Sequence, residues 1–97
     1  MTTRQVTWKY PLWTGSWGVA PSARHDVEMP SVSSVLALQV QRDTPTLWVQ
    51  VDPKSPVVTR TFEWVGTGYE VPAGGEYIGT VQLQDGAFVF HLYEVAA

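Results

Sequence analysis

The chain contains no cysteine. That absence removes disulfide frameworks, thiolate zinc sites and a cysteine nucleophile from consideration. Charge is scarce as well: Asp, Glu, Lys and Arg make up 15% of the 97 residues, against about 25% in an average soluble chain. Six basic residues face nine acidic ones, for a net charge of −3 and a pI of about 5.1. Electrostatics therefore give no general pull toward nucleic acid or anionic membranes, and neither is expected as a partner. No apolar run approaches the ~20 residues of a membrane helix. Met1 to Tyr10 carries no hydrophobic signal region. An intracellular, soluble protein is expected. Helical periodicity is missing too, since every apolar run matches a period of two.

What is present is hydrophobic, at 44% of residues, and rich in tryptophan, with five. A chain of this length makes one domain, here residues 1–97. It buries roughly 65% of its unfolded surface, enough for a modest core. Arg4 to Tyr10 alternates Val6, Trp8 and Tyr10 with polar residues, a half-buried strand that Pro11 ends. Leu12 to Arg24 reads as an aromatic-rich loop containing Trp13, Gly15, Trp17, Gly18 and Pro21. His25 to Met29 forms a short strand. Ser34 to Arg42 puts Leu36, Leu38 and Val40 on one face, and it pairs with Thr46 to Asp52 through the turn Arg42-Asp43-Thr44-Pro45. After the break Asp52–Pro56, Val57 to Val65 is a long strand with Val58, Arg60, Phe62 and Trp64 on one face. Gly66 to Gly75 is a loop. Tyr77 to Gln84 and Ala87 to Glu94 flank Asp85-Gly86, a dipeptide suited to a type I′ hairpin turn. Gly79 inside that hairpin signals a bulge or a close approach by another backbone.

The expected fold is all-β: an antiparallel sheet of six or seven strands, curled into a sandwich- or barrel-like domain. Several strands are apolar on both faces, as where Phe88, Phe90 and Leu92 oppose Val89 and Tyr93. A free sheet normally keeps one polar face. The second face is therefore expected to be covered by oligomerisation with further copies of the chain.

Several segments together carry a family resemblance: Leu38-Gln39-Val40-Gln41, Leu47-Trp48-Val49-Gln50-Val51-Asp52-Pro53, Val65-Gly66-Thr67-Gly68, Tyr77-Ile78-Gly79-Thr80-Val81-Gln82-Leu83 and Val89-Phe90-His91-Leu92-Tyr93-Glu94, with Trp8-Lys9-Tyr10 near the start. In these the chain resembles a family of small bacteriophage and prophage proteins. The resemblance covers roughly two thirds of the chain. Leu12 to Arg24 departs from it, being longer than the family's usual first connection, so no function of that loop is carried over. The resemblance implies a phage accessory protein acting in the host cell cytoplasm and no particular activity.

Candidate chemistry is sparse. Val65-Gly66-Thr67-Gly68 resembles part of a phosphate-binding loop but lacks the Gly-Lys-Ser/Thr ending or following helix of the full fingerprints. A structural loop needing positive φ at Gly66 or Gly68 is the simpler reading. Arg60 is placed to stack on an aromatic ring, to pair with Glu63, Glu76 or Glu94, or to serve as the cation of a pocket. His91 lacks any recognisable spacing to Thr80, Ser55 and Asp52 that would make a triad. A metal site would have to join His25 and His91 to Asp26 or Glu28, and none is expected. No catalytic set and no cofactor are expected either. Binding is the preferred role. Arg60, Thr67, Gly68 and His91 are the candidate residues for a small anionic, nucleotide-like ligand. Trp13 and Trp17 are those for a host protein partner. A virion or assembly component ranks below these, and a small hydrolase last.

Overall fold

The computed structural model describes residues 4–12 and 22–96. Among these residues seven strands follow one another: β1 (Val6–Pro11), β2 (Ser22–Pro30), β3 (Ser33–Gln41), β4 (Thr44–Val51), β5 (Val57–Gly66), β6 (Glu76–Leu83) and β7 (Phe88–Val95). There is no helix among the described residues. The strands form two antiparallel sheets, β1-β4-β3 and β2-β5-β7-β6. The all-β, antiparallel expectation holds, whereas the single sheet of six or seven strands and the barrel do not. Of the loop expected over 12–24, Leu12 is buried in the core, residues 13–21 lie outside the described residues, and Ser22 to Arg24 belong to β2. Trp13 and Trp17 lie outside the described residues.

The division into two sheets comes from one folded hairpin. Residues 22–41 pair with residues 44–66 along nearly their whole length. Both arms turn at the same place, crossing from one sheet to the other through Ser31-Val32 and through 52–56. The two crossings bond to each other. Ser31 N donates to Pro56 O at 2.7 Å, Asp52 N to Val32 O at 2.9 Å and Val32 N to Ser55 Oγ at 3.1 Å. Asp52 shapes the longer arm by accepting Lys54 N on its carboxylate at 3.0 Å, an Asx-type turn. Pro30, Pro53 and Pro56 lack the N–H that would carry a straight ladder onward.

Turn chemistry sets the hairpin ends. Arg42 and Asp43 take φ of 49° and 64°, and Asp85 and Gly86 take 56° and 87°. Positive φ at both central positions is the type I′ condition, which matches the right-handed strand twist.

The core lies between the sheets. Leu47, Val49 and Val51 come from β4, Phe62 and Trp64 from β5, and Phe90 and Leu92 from β7, with Val81 and Leu83 from β6. Each such side chain contributes about 1.5–3 kcal/mol on burial. The Trp64 indole donates to Leu12 O at 2.9 Å, so its one polar atom is satisfied. Gly79 answers both readings of its glycine. The β6–β7 register shifts between Tyr77 and Gly79, and a Cβ at Gly79 would lie 3.3 Å from Leu38 on the opposite sheet.

The expected face of β3 is corrected by a second irregularity. The β3–β4 register shifts between Val35 and Ala37. Val35 and Leu38 both pack on the core, while Leu36 is 53% exposed. A bulge adds one residue and so inverts the alternation beyond it.

Candidate functional site

Strand register brings the sequence candidates to the outer face of the four-stranded sheet. His91 on β7 lies between Val65 on β5 and Thr80 on β6. The next row along the sheet holds Glu63, Tyr93 and Tyr77. Side chains of both rows point away from Trp64, Phe90 and Leu92, because neighbours along a strand alternate faces. Thr67 follows β5 directly, in a turn closed by Tyr69 N donating to Gly66 O at 3.1 Å. Gly68 takes φ of 92° there and has open space where a Cβ would stand. Its glycine is therefore required by backbone conformation and not by crowding.

These residues form one string of hydrogen bonds. His91 Nδ1 bonds Thr80 Oγ1 at 2.8 Å and His91 Nε2 bonds Thr67 Oγ1 at 2.9 Å. Thr80 Oγ1 in turn bonds the Tyr77 hydroxyl at 2.5 Å. Neutral imidazole donates from one nitrogen and accepts at the other, and hydroxyls do either, so both tautomers are accommodated. The Tyr77 ring meets Tyr93 edge-on, with centroids 5.6 Å apart. The result is a connected surface of hydroxyls, imidazole and phenol. A nucleophilic set would orient the imidazole with a carboxylate. Here both ring nitrogens are held by threonines.

Arg60 is separated from the other three ligand candidates. It lies on the inner face, in the stripe of Phe62 and Trp64, with its guanidinium carbon 5.8 Å from the Phe62 ring centroid. Glu94 binds it bidentately: Arg60 Nε donates to Oε2 at 2.7 Å and its NH2 to Oε1 at 2.6 Å. Arg60 NH1 donates to Ser33 Oγ across the sandwich at 2.9 Å. The hydrogen bond to Glu94 raises the Arg60 pKa still further, against the opposing effect of burial. Of the roles read from sequence, stacking on an aromatic and pairing with Glu94 are those observed.

The histidines are also apart. His25 pairs with Phe62 in register and shares its inner face, opposite to that of His91. Burial lowers its pKa, and its Nε2 is buried without a hydrogen-bond partner among the described residues. Asp26, considered beside it, accepts from Thr61 Oγ1 at 2.8 Å on the other face. No cluster of three metal-binding side chains occurs among the described residues.

Sequence reasoning missed Thr80, Tyr77 and Tyr93 as members of the site. The signal was available. A two-residue turn at Asp85-Gly86 pairs Leu83 with Phe88, and counting back from there sets Thr80 opposite His91 and Tyr77 near Tyr93.

Fold and site together define a small β-sandwich whose four-stranded sheet has a tyrosine- and hydroxyl-rich outer face, with Arg24, Asp26, Glu28 and Glu63 toward its β2 side. The chain belongs to the family described as Domain of unknown function (DUF7352), which matches residues 3–97. No curated protein and no solved structure gives a significant match to it.

Proposed function

We propose that this chain is a non-catalytic phage accessory protein that acts in the host cytoplasm by occupying a surface of a host protein. The docking element is the outer face of β2-β5-β7-β6. The observation that carries this reading is the bonded string Tyr77–Thr80–His91–Thr67 with the Tyr93 ring beside Tyr77. Interface centres are depleted in charge and enriched in aromatic side chains. Tyr77 is 55% exposed yet held at both its ring and its hydroxyl. An anchor ordered in advance loses little entropy on binding. The charges on this face, Arg24, Asp26, Glu28 and Glu63, lie toward the β2 edge, where Arg24 bonds Glu63 at 3.0 Å and Asp26 accepts from Thr61 at 2.8 Å.

Sequestration of a small anion is the second reading. Thr67, Gly68 and His91 support it by lying together. It ranks lower because Arg60, its intended cation, is on the other face and already matched by Glu94. Self-association belongs to the proposal as well, with Trp8, Leu36 and Val40 exposed on the three-stranded sheet.

Affinity capture from host lysate tests the main reading. The wild-type chain and Lys54→Glu, altered at the distant corner, are expected to retain the same host protein. Thr80→Arg, which places a charge in the string, is expected to lose it while melting cooperatively. Equal retention by Thr80→Arg overturns the assignment of this face, and capture of no host protein overturns the binding role. A melting-temperature rise with a nucleotide would move the second reading ahead.

A further inference from the structure

The seam where β3 faces β6 is shut at one point and open beside it. It is shut where Leu38 packs over Gly79. Toward the starts of the same strands a cavity of about 300 Å³ opens. Ser33, Ser34 and Val35 form one wall, Glu76, Tyr77 and Ile78 belong to the other, and Arg60 and Glu94 complete the lining. The register shifts described above, at Leu36 in β3 and Ile78 in β6, fall at this cavity, one on each wall strand. Bulges re-aim side chains at sheet edges and beside binding sites. Their coincidence here is an observation independent of the cavity's charge.

That charge does not balance. Both Glu94 oxygens and three nitrogens of Arg60 are engaged, with Glu94 and with Ser33. Glu76 stands directly opposite Glu94 in the β6–β7 register. It makes no hydrogen bond and no close ion pair among the described residues, and Arg60 acts on it only electrostatically at longer range. Like charges facing one another across a ladder destabilise it. One guanidinium against two carboxylates leaves an excess of one negative charge in a walled space.

We propose that this cavity is a binding site for an alkylammonium group. The ammonium sits against the Glu76 and Glu94 carboxylates with a serine hydroxyl as a further acceptor. The alkyl stem lies along Val35 and Ile78. The space holds about ten water-sized volumes of ~30 Å³ each, enough for a chain of lysine length. An anion is disfavoured, because the single cation in the lining is already matched. Glu76 is exposed to solvent, so affinity is modest, with a Kd of about 1 mM that weakens with added salt. The site adjoins the docking face proposed above through Tyr77, while its charge comes from Glu76 and Glu94, which that face does not use.

Amide chemical-shift titration tests it with two probes: n-butylammonium for a free small amine and Nα-acetyl-lysine amide for a lysine side chain of a polypeptide. Butyrate is the control of opposite charge. Both cations are expected to shift Ser34, Val35 and Ile78 saturably, and butyrate is not. Glu76→Gln, an exposed and isosteric change, is expected to weaken binding about fivefold, the upper end for an exposed ion pair. Tighter binding of the bare amine assigns the site to a free small molecule, and tighter binding of the lysine derivative assigns it to a partner's side chain. Absence of saturable shifts up to about 20 mM overturns the proposal. So does undiminished affinity in Glu76→Gln.

Discussion

Replacing Gly79 by Ala adds one methyl group at the place where the two sheets come closest. The new Cβ would stand 3.3 Å from both Cβ and Cδ2 of Leu38. Ordinary van der Waals contact begins slightly farther out, so Leu38 must yield by a few tenths of an ångström. Overpacking a built core costs about 1–3 kcal/mol, and so small an intrusion falls at the low end. Gly79 does not take positive φ, so alanine fits its backbone. The loss of glycine's freedom in the unfolded chain then returns about 0.4–1 kcal/mol. The net expectation is a loss of about 0.5 kcal/mol or less, no more than about 2–4 °C in Tm for a domain of this size. The sharper measurement is the same substitution in a Leu38→Ala background, by urea unfolding of all four proteins. Leu38→Ala removes the Cδ2 contact and frees the neighbourhood to relax. Gly79→Ala should then stabilise by about 0.5 kcal/mol, since only the unfolded-state gain remains, giving a coupling of about 1 kcal/mol between the two positions. An equal cost in both backgrounds would refute the claim that Leu38 is what requires glycine at this bulge.

Two further outcomes follow from the described geometry. Burial lowers the His25 pKa below its usual 6.5, so the unfolded state binds the proton more readily than the native state. Stability should be full above about pH 6.5 and fall as pH drops through that value toward the lower native pKa. His25→Gln should flatten this part of the Tm–pH curve between about pH 7.5 and 5, and an unchanged slope would exclude His25 as its source. Arg42 and Asp43 occupy the left-handed region without being glycine. The pair Arg42→Asn with Asp43→Gly supplies the residues that a type I′ turn prefers, and it should raise Tm by a few degrees, about 0.5–1 kcal/mol.

The strands and tight turns were legible because period-two patterning and turn residues are local properties. Val57 to Val65 and the Asp85-Gly86 hairpin needed nothing beyond their own segments. The division into two sheets was not legible. A run such as Thr46 to Val51 looks the same whether β3 beside it continues one sheet or ends another. The decision lies in hydrogen bonds between Ser31 and Pro56 and between Asp52 and Val32, residues far apart in the chain. The face of Leu36 was misread for a related reason: alternation assumes an unbroken register, and the bulge breaks it. Arg60 was given its correct stripe and Glu94 was one of three acids considered for it. Only the pairing of β5 with β7 selects that acid, by setting Glu94 beside Phe62, two residues from Arg60 along β5. His91 was singled out, but its partners became visible only through cross-strand counting. Arg60 and His91 were grouped although residues 31 apart in the sequence carry no information about which side of a sheet each one takes.

The folded hairpin has a mechanical meaning. Each half of the sandwich is built on the two arms of the same ribbon, and the crease at Ser31-Val32 and 52–56 is all that sets one half over the other there. Neither layer can peel away with its own pairing intact unless that crease opens, and opening it strips the hydrophobic cover from both layers at once. Melting is therefore expected to be a single concerted event, with fluorescence and circular dichroism giving coincident transitions.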